Sequence, residues 1–320
     1  MASPSAGEGL LREVSPEEIE RNIDVAALIP AMREALKADA EGAVEVPLRA
    51  FWGLKDDFGI LAMPARSASL KRALFKFLTL VDANRALGLP GVMGELTLLD
   101  AATGAALARL PAENVTLLRT AACSAVATEL LARRDADTLV LFGSGPQAAH
   151  HAQAMLAVRP IKRVMVQGRD RARAENLAAA LAKCFGIAAI TGPDKSFLRE
   201  ALIVCTATNA GAVLFQNEDI HPKAHINAIG AYRPDMKELP PALLQDATIF
   251  ADSVAPVARQ AGDLLSAFGS PDDVAGHIRP IGELVAEPLR ERPKGRTVYK
   301  SVGNAGQDLY ASAAILDILG

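Results

Sequence analysis

The chain has 320 residues, half of them hydrophobic and 22% charged, with a net charge of −3. That is enough sequence for two domains of ordinary size with a sizeable core, and the near-neutral balance gives no reason to expect nucleic acid or an anionic membrane as partner. No apolar run approaches the length needed to span a bilayer, the N-terminus lacks the basic and apolar regions of a secretory signal, and three widely spaced cysteines, Cys123, Cys184 and Cys205, suggest neither a disulfide framework nor a zinc site, so a reducing cytoplasm fits best.

Residues 1–9 are small and polar, and a disordered tip is expected there. Ser15-Pro16-Glu17-Glu18 reads as a capping box with Ser15 as N-cap, opening a short helix. Val25 to Ala40 follows with helical period, placing Ile29, Met32, Leu36 and Ala40 close to one face. Glu45 to Phe51 reads as a strand carrying Arg49, and Phe58 to Pro64 as another. Leu74 to Val81 is a third, with Lys76 in an apolar setting between Phe75 and Phe77. "ELTLLD", ending at Asp100, is a fourth; a turn at Asp100–Gly104 returns the chain through Ala105 to Leu110. Strands separated by turn signals suggest a mixed or antiparallel sheet. Val115 to Arg134 is a helix of small residues with Arg119 in its first turns.

Asp137 to Arg169 carries the strongest signal. An apolar run, Thr138 to Phe142, ends in Gly143-Ser144-Gly145-Pro146-Gln147-Ala148; a helical segment and a second apolar run, Arg163 to Gln167, follow. Strand, glycine turn, helix and strand in this order form the opening βαβ unit of a dinucleotide-binding domain. Gly143 permits the tight turn, Gly145 lets a pyrophosphate approach the backbone, and Ala148 keeps helix and strand close. Pro146 suits the first helical turn, and the N–H groups there face the phosphates. At the end of the second strand, where NAD-binding domains place an acid on the ribose diol, stands Arg169, followed by Arg171 and Arg173. Guanidinium groups suit a 2′-phosphate, so NADP(H) is favoured, while Asp170 keeps NAD(H) open.

Further along, Asp170 to Phe185 reads as helix, and Ala188 to Ile190, Leu202 to Thr206, His225 to Ile229 and Thr248 to Asp252 as strands. Gly262 to Pro293 is expected as helix and loop. A strand through Tyr299 leads to a turn at Gly303 and a C-terminal helix. Ligands of such sheets lie beyond the carboxyl ends of the strands. Thr206, Ala207, Thr208 and Asn209, Gly230 and Ala231, and Ser301 and Val302 are therefore candidates for the cofactor side. Adjacent helical residues point in different directions, so His150 and His151 are not a metal pair. His225 and Cys123 read as packing residues.

Several segments together resemble the ornithine cyclodeaminase and mu-crystallin family: "LAMPA" at Leu61, "LLDAATG" at Leu98, "LLRTAACSAVAT" at Leu117, "GSGPQAAHHAQAM" at Gly143, "HINAIGAYRPDMKEL" at His225 and "KSVGNAGQDL" at Lys300. The resemblance implies an α/β subunit with a Rossmann domain, residues 121–297, and a mixed α+β domain for substrate binding and dimerisation, residues 1–120 with 298–320. A homodimer is implied with it. The family's substrate-carboxylate residues fall on Arg49, Lys76 and Arg119, and Gly303 approaches nicotinamide or substrate by its backbone. Ser301, Gln307 and Asp308 belong to the C-terminal motif, where Asp308 either orients a catalytic group or caps the last helix. True cyclodeaminases carry an aspartate where this chain has Tyr232, and Asp235 comes three residues later; the sequence there is more similar to the reductase branch. The activity so implied is reduction of a cyclic imino acid, Δ1-pyrroline-2-carboxylate or Δ1-piperideine-2-carboxylate, to proline or pipecolate, with Lys76 as proton donor. An alanine-type dehydrogenase, an NAD-using cyclodeaminase and a non-enzymatic binding protein are the alternatives.

Overall fold

The computed structural model describes residues 11–55, 57–192 and 194–320; the polar tip at residues 1–9 lies outside the described residues. In chain order the elements are β1 (Arg12–Glu13), α1 (Pro16–Asn22), α2 (Val25–Ala40), β2 (Val44–Glu45), β3 (Ala50–Gly53), β4 (Phe58–Ser67), β5 (Arg72–Val81), β6 (Val92–Asp100), β7 (Ala106–Pro111), α3 (Ala112–Leu131), β8 (Thr138–Phe142), α4 (Pro146–Val158), β9 (Arg163–Gln167), α5 (Arg171–Phe185), β10 (Ala188–Thr191), α6 (Lys195–Glu200), β11 (Ile203–Thr206), β12 (His225–Ala228), α7 (Pro241–Asp246), β13 (Thr248–Ala251), α8 (Val254–Gln260), α9 (Gly262–Phe268), α10 (Pro271–His277), β14 (Ile278–Pro280), α11 (Gly282–Ala286), β15 (Thr297–Lys300) and α12 (Ala305–Leu319). They form two compact units. One takes the chain up to Asp24, Ala43–Thr116 and Ala305–Gly320; the other takes Val25–Gly42 and Leu117–Asn304. The boundaries expected at 120/121 and 297/298 fall inside α3 and β15.

The first unit is built on a seven-stranded sheet in the order β1-β7-β6-β5-β4-β2, with β3 also paired to β4. β4 to β7 run antiparallel, and the register sets Met63 opposite Lys76, Lys76 opposite Leu96 and Leu96 opposite Leu110. The next row is Ala65, Leu74, Leu98 and Ala108. Side chains directly opposite one another share a face, and apart from Lys76 this face is apolar and buried throughout both rows. α12 packs over β4, β5 and β6. The expected strand from Glu45 to Phe51 is broken into β2 and β3, because Pro47 has no N–H for the ladder. Arg49 consequently precedes β3 by one residue instead of lying within a strand.

A parallel sheet makes up the second unit, in the order β10-β9-β8-β11-β12-β15-β13-β14. β8 is buried at all five positions, which is why it reads as a continuous apolar run and not as an alternation. The chain proceeds outward from β8 to β9 and β10, then returns to place β11 on the other side of β8. That reversal is the topological switch point at which open α/β sheets bind ligands. β15 lies between β12 and β13, which aligns Lys300 with Ala228 and Ala251 at the carboxyl ends. Gly262 to Pro293, expected as helix and loop, also contains β14, whose Ile278 pairs with Ile249 at the sheet edge.

Candidate active site

The glycine turn after β8 has the geometry that a dinucleotide requires. Gly143 has φ +122°, and a Cβ there would lie 2.5 Å from the Ala207 carbonyl oxygen, so only glycine fits. Gly145 is the N-cap of α4 with Pro146 at the first position, and a glycine brings no side-chain capping bond. A Cβ on Gly145 would meet no atom within 4 Å. Open space in front of the uncapped N–H groups of a thirteen-residue helix suits a pyrophosphate. Ala148 is buried, as close helix–strand packing demands, and Ser144 Oγ packs on Gly168, where a Cβ would be 2.8 Å away. The Gln147 amide donates to the Leu117 carbonyl at 3.2 Å. His151 bonds Ser124 Oγ at 2.9 Å and the Gln147 carbonyl at 2.8 Å, tying α4 to α3.

After β9, Arg169 is exposed and has no ion pair among the described residues. Arg171 pairs with Glu175, and Arg173 with Asp170 at 3.3 Å. Asp170 is also the N-cap of α5, accepting from the Arg173 N–H at 3.1 Å.

At the carboxyl ends of β11 and β12, one side chain that sequence reasoning missed organises the loops. Glu238 accepts from Thr206 Oγ1 at 2.7 Å, from the Thr208 N–H at 2.8 Å, from Thr208 Oγ1 at 2.7 Å and from the Gly230 N–H at 2.8 Å. A Cβ at Gly230 would lie 2.2 Å from Glu238 Oε1, which accounts for the glycine. The Thr206 hydroxyl is therefore turned into the protein. Burial pushes the Glu238 carboxyl up, against the opposing pull of Lys300 and the two threonine hydroxyls. Asp263 accepts from the Glu238 and Leu239 N–H groups and receives Lys300 Nζ at 3.3 Å. Tyr232 follows Ala231 and is exposed, and the Arg233–Asp235 pair closes the adjacent turn.

Beyond β15, Asp252 Oδ2 accepts from Ser301 Oγ at 2.7 Å and from the Gly303 N–H at 2.8 Å. Gly303 has φ +72°, and a Cβ there would lie 2.6 Å from Nη1 and Nη2 of Arg119. The backbone at Gly303 is thus packed on the guanidinium of an arginine that is only 6% exposed.

In the first unit, Lys76 is 3% exposed. Its ammonium donates to Thr116 Oγ1 at 2.7 Å and to Asp308 Oδ2 at 3.0 Å, and Asp308 is fully buried. Asp308 also lies in the first turn of α12, so both roles the sequence left to it stand. Arg49 stands one residue before the Ala50–Ala62 pair, beside the row that holds Met63 and Lys76. Arg119 belongs to the second unit.

A glycine turn at the switch point of a Rossmann sheet, in a chain that also carries a buried lysine–aspartate pair, Lys76 on β5 and Asp308 on α12, marks an α/β protein of the nicotinamide-dependent class. The sequence profile of the ornithine cyclodeaminase/mu-crystallin family matches residues 13–319. The chain belongs to that family. It is 30% identical to ketimine reductase mu-crystallin of Mus musculus over 95% of this chain and 96% of that one. It is 34% identical to Delta(1)-pyrroline-2-carboxylate reductase of Bacillus cereus over 78% of each. The structure of Thermococcus litoralis Delta(1)-pyrroline-2-carboxylate reductase in complex with NADH and L-proline superposes with a TM-score of 0.88 at 28% identity, covering 96% of this chain and 97% of that one.

Proposed function

We propose that this chain reduces a cyclic imino acid, Δ1-pyrroline-2-carboxylate or Δ1-piperideine-2-carboxylate, to proline or pipecolate with NADPH. The observation that carries the reading is Lys76, a lysine with almost no exposure that is bonded to Asp308 and Thr116. Relatives that act on such ketimines match most or all of the chain. A nicotinamide nucleotide held at the Gly143–Ala148 turn would supply the hydride for the C=N carbon. Arg119 and Arg49 hold the carboxylate by charge-assisted hydrogen bonds, so that much of the rate gain is positioning. Lys76 keeps the imine nitrogen protonated, because a protonated imine accepts hydride far more readily than a neutral one. The proton that ends on the amine nitrogen and the hydride on carbon complete the reduction. Asp308 and Thr116 fix the direction of the Lys76 ammonium.

The NADPH preference rests on Arg169, exposed and without an ion-pair partner among the described residues. Asp170, the residue that left NAD(H) open, is bonded to both the backbone and the side chain of Arg173. Tyr232, in place of the cyclodeaminase aspartate, favours reduction over cyclisation. The face of the first sheet opposite Lys76 exposes Phe75, Phe77, Trp52 and Met93, an apolar surface that a homodimer would cover.

The test is loss of reduced-cofactor absorbance with each imine, using NADPH and NADH in turn. Turnover with NADPH exceeding that with NADH is expected. A preference for NADH would overturn the role of Arg169, and no turnover with either imine would overturn the reductase.

A further inference from the structure

Asp252 and Asp39 are two carboxyl groups of the second unit that the mechanism above does not use. Asp252 sits just past the end of β13 and is fully buried. It receives the Ser301 hydroxyl and the Gly303 N–H on one oxygen and the Ser253 N–H at 2.9 Å on the other. These bonds set the Ser301–Gly303 turn. The turn in turn lies against Arg119, with space for a glycine and nothing larger. Asp39 sits in the last turn of α2, where the helix dipole disfavours a negative charge. It accepts from Asn304 Nδ2 at 2.9 Å, the residue that follows Gly303. Burial and the Asp252 charge push the Asp39 carboxyl up to about 6, against hydrogen bonds from Ser253 and Asn304. The elements packed against α2 bring other titratable groups, His150 and His151 on α4 and Glu283 on α11. His150 and His151 are bonded within α4 and to Ser124, Glu283 to Arg279, and Lys37 shares the last turn of α2 with Asp39. Asp252 is the charged group that acts on Asp39.

We propose that Asp252 is a positioning residue for the Arg119 guanidinium, acting through the Ser301–Gly303 turn, and that Asp39 beside it makes substrate-carboxylate binding sensitive to pH. The proposal rests on the reading of Arg119 as a carboxylate binder. An anion at Asp39 adds negative charge behind the turn and opposes a carboxylate at Arg119. Deprotonation of Asp39 therefore weakens binding of an anionic group as pH rises through the mildly acid range.

L-proline is a suitable probe, because its carboxylate and amine both stay charged between pH 5 and 7. Its dissociation constant is measured by calorimetry on the NADPH-loaded full chain. In the wild type, binding is expected to weaken about threefold from pH 5 to pH 7. In Asp39→Asn, which keeps an acceptor for Asn304, that pH dependence should vanish while binding at pH 5 is retained. In Asp252→Asn, L-proline should bind about tenfold more weakly, a loss several times larger than that of NADPH. Retention of wild-type L-proline affinity in Asp252→Asn overturns the positioning role, as does a parallel loss of NADPH and L-proline. A pH dependence that persists in Asp39→Asn overturns the role of Asp39. Arg119→Lys separates this proposal from the one beneath it: unaltered L-proline binding there means that Arg119 is not the carboxylate binder, whereas weakened binding in Arg119→Lys alone contradicts only the part played by Asp252.

Discussion

Lys76 and Lys300 are both buried lysines paired with a buried aspartate, one in each unit: Lys76 Nζ lies 3.0 Å from Asp308, and Lys300 Nζ lies 3.3 Å from Asp263. Their surroundings differ. Asp263 also accepts from the N–H groups of Glu238 and Leu239, and Glu238 in turn holds the loops after β11 and β12. The Lys300 pair is therefore part of the backbone framework. In contrast, Lys76 rises from the middle of a strand on an otherwise apolar sheet face, and its bonds go to the side chains of Thr116 and Asp308. A buried ion pair does not by itself indicate catalysis. Desolvation of two charges consumes most of their attraction, and breaking either pair leaves an uncompensated buried charge. Where the partner bonds determines whether the loss appears in the fold or in the chemistry.

Substitution of each lysine by methionine separates the two. Lys76→Met should lower kcat with the imino acid by about 10²–10⁴-fold, the usual range for a lost acid–base group, with NADPH affinity within about twofold of wild type. Equal turnover in that variant would place Lys76 with Lys300 as a structural residue. Lys300→Met should cost about 3–5 kcal/mol of stability, read from urea melts, while the folded fraction retains near-normal kcat. A Lys300→Met variant that melts like the wild type would mean that the Asp263 network does not depend on its cation.

The smallest expected effect comes from two buried histidines of the second unit, His151 and His225. Burial lowers His151 to about 4 and His225 to about 3, from an ordinary value of 6.5. Below pH 6.5 the unfolded chain takes up protons that the folded chain refuses, so stability falls as pH falls toward these values. At pH 5 each histidine costs about 2 kcal/mol relative to neutral pH. Asp39, raised to about 6, acts in the opposite direction because its folded form is protonated first, and it offsets about 1 kcal/mol. A net loss of about 3 kcal/mol between pH 7 and pH 5 is expected from melts at the two values. Unchanged stability would show that the two histidines are not buried in the neutral form.

Much of the second unit was legible in the sequence, because a buried parallel strand and a glycine turn are local patterns. β8, Gly143 and α4 stand in the order that the stretch from Asp137 to Arg169 gave them. α2 spans Val25–Ala40 as its period indicated, although Pro30 lies inside it. Pro47 stands within the strand expected from Glu45 to Phe51, where a strong β run outweighs one missing donor in the sequence but not in the ladder. Partnership was far less legible than position. Lys76 stood in an apolar setting and took its role from the family resemblance, but Asp308 is 232 residues away in sequence and only the fold brings them together. Glu238 and Lys300 lay within family motifs and Asp263 in none, but nothing in the sequence paired them, because three ordinary charges on three separate segments look like a solvated surface until a sheet buries them. β5 also inverts the usual pattern: Lys76 points inward while Phe75 is 42% and Phe77 36% exposed. Apolar residues facing outward on one side of a sheet are intelligible if that side is covered by a second copy.

The most direct test of the central claim follows the hydrogen itself. The wild-type chain is incubated with Δ1-pyrroline-2-carboxylate and NADPH deuterated at C4 of the nicotinamide, on the transferred face and on the other face in turn, and the proline formed is read by mass spectrometry and NMR. The account predicts one deuterium at the α-carbon of proline from one of the two labelled cofactors. Proline without label from either, or no proline at all, would contradict it.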